Sequence, residues 1–212
     1  MKTLVAGATG LIGQALVAQL QADPVCESLH LLLRRASVER AAKVRSHLVD
    51  FDRLGELPLL EVSTAFCALG TTIKVAGSKS AFRQVDFDYV LAVGQFAKRC
   101  GAEHFIVVSA LGASAESRVV YSQVQGDMEA AVRDLGFSRL TLIRPSMLSG
   151  PRADVRMGER VALALMQPLA SLIPAKYRAI ADVAVARAMI DAAKRAESGV
   201  EIIESDRLQK FA

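Results

Sequence analysis

Cysteine and tryptophan are scarce in this sequence. Its 212 residues include three cysteines and no tryptophan. Cys26, Cys67 and Cys100 lie far apart, without a C-x-x-C pair or the dense, even spacing of a disulfide framework. Such cysteine usage is typical of a reducing compartment, so we predict a cytoplasmic location.

Long apolar runs and blocks of like charge are also absent. The formal net charge is only +4, and the dispersed basic residues offer no surface for nucleic acid or anionic lipid. The longest apolar stretch, residues 161–175, is too short to cross a bilayer and contains two prolines. The first residues run directly into a strand-like segment, which leaves no room for a signal peptide. We predict no nucleic-acid or membrane partner, and we interpret residues 161–173 as a surface available for self-association.

What the sequence does contain is a regular alternation of strand-like and helix-like segments. Apolar runs predict strands over residues 3–6, 29–33, 44–49, 63–69, 104–108, 139–143 and 200–204. Helical periodicity predicts helices over residues 13–21, 81–99, 123–135 and 181–196. This alternation is typical of βαβ units whose parallel sheet is covered on both faces. We therefore predict an α/β fold, a doubly wound parallel sheet of the Rossmann type, as a single domain over residues 1–212 with a short C-terminal segment covering the substrate.

A glycine-rich turn follows the first predicted strand and opens the first helix. Its sequence is G-A-T-G-L-I-G, with Gly7, Gly10 and Gly13 at the spacing of a dinucleotide-binding motif. The first glycine permits the tight turn, the second lets the backbone approach a pyrophosphate, and the third lets helix and strand pack closely. The helix N-terminus then offers N–H groups and a partial positive charge to the phosphates. A glycine triplet can serve a turn alone, but the strand before it and the helix after it favour a nucleotide site.

Two arginines occupy the position that selects between NAD and NADP. NAD-specific domains carry an acidic residue about 20 residues beyond the glycines, where it binds the ribose 2′-hydroxyl. This chain has Arg34 and Arg35 there, with no acid before Glu39. The guanidinium group suits a 2′-phosphate because its planar fork can bond two phosphate oxygens at once. We predict NADP(H) as the cofactor; the alternative is that both arginines merely face solvent at a strand end.

These motifs and several others together resemble a known family. They include L-L-R-R at residues 32–35, V-D-F at 49–51, F-C-A-L-G-T-T at 66–72, V-D-F-D-Y-V at 85–90, Y-S-Q-V-Q-G at 121–126 and R-P at 144–145. The chain resembles the atypical short-chain dehydrogenase/reductases, and within them the Tat-interacting oxidoreductase-like family. The resemblance implies cofactor contacts at the carboxyl ends of the strands. From the pyrophosphate to the nicotinamide they are Gly7, Thr9, Gly10, Leu11, Ile12, Arg34, Arg35, Asp50, Phe51, Leu69, Gly70, Pro145, Ser146 and Met147.

The resemblance also implies a catalytic tyrosine, for which Tyr121 is the candidate. Such a tyrosine exchanges a proton with the substrate while the nicotinamide exchanges a hydride. The usual pattern has a lysine four residues later, whose charge lowers the pKa of the tyrosine and whose ammonium bonds the nicotinamide ribose. Here that position holds Gln125, which can hydrogen-bond a ribose but carries no charge. We therefore predict Tyr121 as the proton donor, with Tyr121 and Gln125 both near the cofactor.

Ser109 is the predicted partner of Tyr121 in catalysis, with a structural role at the strand end as its alternative. Ser114 lies further along the same loop and could substitute for it. The histidines His30, His47 and His104 are separated in sequence, so we predict no metal site. Asp86 and Asp88 are predicted to lie on the exposed or capping face of the long helix.

Two functions fit these residues. The first is an NADPH-dependent reductase that acts on an unidentified small carbonyl substrate through Tyr121. The second is a catalytically impaired, NADP(H)-bound redox sensor or interaction protein, which Gln125 in place of lysine favours. An epimerase or dehydratase is a more distant third, because such enzymes need a larger C-terminal substrate region than the residues after Pro151 provide.

Overall fold

A seven-stranded parallel sheet forms the centre of the molecule. The computed structural model describes residues 1–36, 41–149 and 174–212. The sheet has the order β3-β2-β1-β4-β5-β6-β9, and every neighbouring pair of its strands is parallel. Its strands are β1 (Lys2–Ala6), β2 (Ser28–Leu33), β3 (Val44–Leu48), β4 (Thr64–Cys67), β5 (His104–Val108), β6 (Arg139–Arg144) and β9 (Gly199–Glu204). A separate parallel pair is formed by β7 (Leu148–Ser149) and β8 (Ile180–Ala181).

Helices connect the strands. They are α1 (Leu11–Ala22), α2 (Ile73–Ala76), α3 (Lys79–Arg83), α4 (Tyr89–Arg99), α5 (Val120–Asp134), α6 (Asp182–Lys194) and α7 (Ser205–Leu208). A π turn, Gln84–Asp88, joins α3 to α4, and 3₁₀ turns occupy Phe51–Glu56, Ala175–Tyr177 and Gln209–Phe211. Among these described helices, none has the length and apolar character that a bilayer crossing needs.

The sheet has a hydrophobic core on each face. In β2, Leu29, Leu31 and Leu33 pack with α1 and α6 on one face. Leu32 lies in the other core, together with residues of α4 and α5. Because both faces are buried, these strands appear in the sequence as continuous apolar runs rather than alternating ones. The predicted doubly wound parallel sheet is confirmed.

Several predicted boundaries differ from the structure. The predicted strand over residues 63–69 ends at Cys67, so Leu69 lies in the following loop. The predicted helix over residues 81–99 begins two residues earlier and contains the π turn. Helix α5 begins at Val120 rather than residue 123, which places Tyr121 in its first turn. Most of the apolar segment 161–175, including the predicted self-association surface, lies outside the described residues.

Candidate nucleotide-binding and active site

Two of the three motif glycines are required by the fold itself. Gly7 has a φ of +85°, and a Cβ there would lie 2.4 Å from the carbonyl oxygen of Ala68 in the loop after β4. A Cβ on Gly13 would lie 2.0 Å from the carbonyl oxygen of Gly7. Both distances are far below van der Waals contact, so a side chain at either position would push the turn away from the sheet.

Gly10 differs, because nothing in the protein requires a glycine there. A Cβ on Gly10 would come no closer than 3.4 Å to another atom, and its φ of −77° is ordinary. Gly10 occupies the N-cap position of α1. Because it has no side chain to accept a hydrogen bond, and because the first turn contains no acidic residue, the N–H groups of that turn remain available. Thr9 is exposed, Leu11 is half-buried and Ile12 lies in the core. This open, positive helix end fits a pyrophosphate.

Arg34 and Arg35 directly follow β2, and both are exposed. Neither forms a salt bridge with any residue in the described part of the chain. Glu39, the first acid that follows these arginines in the sequence, lies outside the described part of the chain. Two guanidinium groups without an acidic partner fit a 2′-phosphate at the carboxyl end of the sheet.

The remaining predicted cofactor residues differ in exposure. Asp50 is exposed, and its carboxylate accepts the backbone N–H of Asp52 at 3.0 Å. Phe51 instead lies in the core, with its ring 5.4 Å from that of Tyr89, so its side chain supports the site from within. Five others also line the same edge of the sheet; Leu69 and Ser146 are half-buried, Gly70 is exposed, Pro145 is buried and Met147 is 71% exposed.

Tyr121 lies in the first turn of α5 with its residue 38% exposed. Its ring stacks on Phe82 at a centroid distance of 5.5 Å. Burial of the hydroxyl, and secondarily the charge of Asp86, raises the pKa of Tyr121 above its ordinary value. The hydroxyl is protonated at neutral pH, as that of an ordinary tyrosine is, and the raised pKa makes it a weaker acid than an ordinary tyrosine.

The structure differs from the predictions for Gln125 and Asp86, whereas Asp88 is exposed as predicted. Gln125 is buried, and its Nε2 donates to Oδ1 of Asp86 at 2.9 Å instead of lying free for a ribose. Asp86 itself is only 3% exposed, not on the outer face of its helix. A sequence signal for this existed, because Asp86 continues the buried stripe of Phe82 and Val90 at four-residue spacing.

Ser109 is also placed differently from its catalytic prediction. Its hydroxyl is buried and donates to Oε1 of Glu129 at 2.6 Å. Glu129 binds Arg144 through two hydrogen bonds, of 2.8 and 2.6 Å, and Arg144 also contacts Glu204 at 3.0 Å. These hydrogen bonds raise the pKa of the Arg144 guanidinium. The geometry supports the structural alternative for Ser109. The hydroxyl of Ser114 accepts the N–H of Glu116 in its own loop.

The histidines are less scattered than the sequence indicated. His30 and His47 meet across β2 and β3, with Nδ1 of the first 2.9 Å from Nε2 of the second. Burial lowers the pKa of both. His104 pairs with Thr141 inside the sheet, and burial lowers its pKa to about 4. No cluster of three or more potential metal ligands occurs among residues 1–36, 41–149 and 174–212.

Solved structures share this fold at low sequence identity. MoeE5 in complex with UDP-glucose and NAD aligns with a TM-score of 0.71 and 14% identity, over 98% of this chain and 79% of that one. A UDP-glucose 4-epimerase from Thermotoga maritima gives a TM-score of 0.71 at 16% identity, over 98% and 78%. The sheet order and the glycine turn place the chain in the class of Rossmann-fold proteins.

Curated relatives establish the family. Protein HTATIP2 of Rattus norvegicus is 35% identical over 205 residues, which cover 94% of this chain and 84% of that protein. Protein FMP52 of Eremothecium gossypii is 34% identical over 74% of this chain and 71% of that protein. The chain belongs to the HTATIP2 family of atypical short-chain dehydrogenase/reductase-like oxidoreductases, as its motifs predicted. Comparison with protein-family models gives no match.

These relatives contradict the predicted cytoplasmic location. The FMP52 proteins of Eremothecium gossypii, Emericella nidulans and Candida albicans are all named mitochondrial. Widely spaced, unpaired cysteines are therefore not a sufficient basis for that prediction, because they do not distinguish among compartments that keep thiols reduced.

Proposed function

We propose that the protein is an NADP(H)-dependent reductase of a small carbonyl compound. The observation that carries this proposal is the pair of exposed arginines at the end of β2, which lack an acidic partner among the described residues and follow an uncapped, glycine-lined helix end. The first feature suits a 2′-phosphate and the second a pyrophosphate. MoeE5, whose structure was solved in complex with UDP-glucose and NAD, supports a pyridine nucleotide here.

Each part of this site has a separate task. Arg34 and Arg35 would hold the 2′-phosphate, while the turn from Gly7 to Gly13 would hold the pyrophosphate. When bound, NADPH supplies the hydride that reduces the carbonyl carbon. Tyr121 would donate its hydroxyl proton to the carbonyl oxygen, since the group is protonated at neutral pH.

Cofactor preference gives the first test. Calorimetric titration of the wild-type protein should show tight binding of NADPH and weak binding of NADH. In Arg34→Ala/Arg35→Ala, NADPH affinity should fall by roughly 10- to 100-fold, because charge-assisted hydrogen bonds to the phosphate are lost. NADH affinity should remain unchanged.

Arg53→Ala is the matched control for this test. Arg53 is also an exposed arginine close in sequence to the site, but it is bound to Glu56 at 2.6 Å. Its replacement should leave both affinities unchanged. Equal NADPH affinity in the wild-type protein and the double variant would contradict the assignment of the two arginines.

A second function is favoured by two observations. The site has no positive charge at position 125, and the pKa of Tyr121 is raised rather than lowered. Both features suit a protein that binds NADP(H) and responds to its redox state without turning over substrate efficiently.

The role of Tyr121 separates the two functions. If the protein is a reductase, Tyr121→Phe should lower kcat by about 100-fold or more with a panel of small aldehydes and ketones, because the proton donor is lost. NADPH affinity should stay unchanged. Gln125→Lys is the complementary variant, since it places an ammonium beside Asp86. If Gln125→Lys creates or greatly raises reductase activity, the native protein is better regarded as a binder.

A further inference from the structure

The Asp86 carboxyl lies between two segments of the candidate site. Its Oδ2 accepts the backbone N–H of Thr71 at 2.9 Å, directly after Gly70 in the loop that follows β4. Its Oδ1 accepts Nε2 of Gln125 at 2.9 Å, one helical turn after Tyr121. One buried side chain therefore links the loop predicted to support the ribose with the helix that presents the tyrosine.

The backbone around Asp86 has an unusual form. Helices α3 and α4 are continuous except for the π turn Gln84–Asp88, which contains Asp86 and packs against α5. Single π turns inside α-helices are rare and occur frequently at functional sites. Here the π turn carries a carboxyl group into the space between the β4 loop and α5.

Among the described residues, no cationic side chain forms a salt bridge with Asp86. Burial raises the pKa of Asp86 to about 7, although its two hydrogen bonds lower it. Tyr121 of α5 and Cys67 of β4 face it; burial raises the pKa of each, and the charge of Asp86 adds to that effect. Arg83 of α3 is bound instead to Asp127 of α5 at 2.8 Å.

The side-chain amide of Gln125 contacts a protein group, the Asp86 carboxyl. Its side chain is buried, its Nε2 is directed at Asp86, and its Oε1 has no hydrogen-bond partner in the part of the chain that the structure describes. A buried acceptor without a partner is costly, and such groups call for an explanation. The amide is thus oriented by its donation to Asp86, at the expense of a partner for Oε1.

We propose that Asp86 is a positioning residue of the nucleotide site and that Gln125 acts through it, not by direct contact with the cofactor. The inference rests on the proposed function, since it requires a nucleotide to be bound beside Gly70 and Tyr121. It gives Gln125 a role different from that of the lysine in the usual pattern, whose ammonium bonds the ribose.

A double-mutant cycle on NADPH affinity tests this proposal. Asp86→Ala and Gln125→Met should each weaken NADPH binding by about threefold to tenfold, the scale of a lost neutral hydrogen bond. The double variant should bind no more weakly than Asp86→Ala alone, because the two residues act as one unit. Asp88→Ala, at an exposed position of the same π turn, is the matched control and should bind as the wild type does.

The outcomes of the cycle distinguish this inference from the function on which it rests. Additive losses would show that Gln125 contacts the nucleotide independently, and would overturn the inference. Wild-type affinity in all variants would also overturn it while leaving the proposed function intact. If the wild-type protein binds neither NADPH nor NADH, the proposed function and the inference both fail.

A second variant, Asp86→Asn, covers the case in which Asp86→Ala does not fold. It gives two readouts: NADPH affinity, and thermal stability measured without nucleotide. Asparagine at position 86 can accept from Thr71 and donate to Oε1 of Gln125, so Asp86→Asn should bind NADPH within about twofold of the wild type. The folded-state pKa of Asp86, about 7, lies above its ordinary 3.8, so the wild type should lose thermal stability relative to Asp86→Asn as pH rises from about 4 to about 7. Parallel melting profiles for the two proteins over this range, or loss of NADPH affinity in Asp86→Asn, would overturn the proposal.

Discussion

Replacing Gly10 with valine is expected to abolish nucleotide binding while the protein remains folded. A Cβ at this position meets no atom closer than 3.4 Å, and the backbone angles are ordinary, so the free energy of unfolding should change by no more than about 1 kcal/mol. The isopropyl group would instead fill the space over the first turn of α1 that the pyrophosphate needs. Calorimetric titration with NADPH and a denaturant melt measure the two quantities separately.

Gly13→Ala is the matched control, because the expected effects are reversed. A Cβ there would lie 2.0 Å from the carbonyl oxygen of Gly7, and such overpacking should cost about 3 kcal/mol of folding free energy. Tight NADPH binding by Gly10→Val would show that the phosphates do not lie over α1, and would remove the main support for the proposed site.

Glu129→Gln is expected to give the largest loss of stability from a single polar substitution. The carboxylate of Glu129 is 4% exposed, and its main partner, Arg144, is 18% exposed. Removing the charge leaves the largely buried guanidinium with Glu204 as its remaining acidic partner among the described residues, at a cost of about 3 kcal/mol in the free energy of unfolding. For a chain of this size the melting temperature should fall by roughly 6–12 °C.

Glu103→Gln provides the comparison at the protein surface. Glu103 is 73% exposed and lies 3.8 Å from Arg139, so its replacement should cost less than about 1 kcal/mol. If Glu129→Gln is as stable as Glu103→Gln, then the hydrogen-bond geometry at Arg144, and not the charge of the acid, determines the stability of this cluster.

The fold could be predicted because a two-sided sheet leaves a strong local signal. β5 is a run of apolar residues after His104, and its observed bounds, His104–Val108, are those predicted. The start of α5 could not be found in the same way. Its first residue follows Val119, which provides no side-chain cap, so the sequence contains no start signal there.

The site could be predicted only where it consists of backbone and exposed charge. The glycine turn and the two arginines depend on local spacing, which the sequence shows directly. The partners of Asp86 and Ser109 do not, because Gln125 is 39 residues from the first and Glu129 is 20 residues from the second. The four-residue spacing from Phe82 and Val90 indicates that Asp86 is buried, but it does not show which side chain Asp86 meets.

The glycine turn also bears on how far sequences of this fold can diverge. Gly7 and Gly13 are required because backbone carbonyls leave no room for a side chain. The turn therefore requires chiefly that these two positions carry no side chain. Surrounding positions need only keep their apolar character and volume for the sheet to pack. Evolution can thus replace most residues around such a turn and still retain its shape, which agrees with a TM-score of 0.71 to MoeE5 at 14% identity.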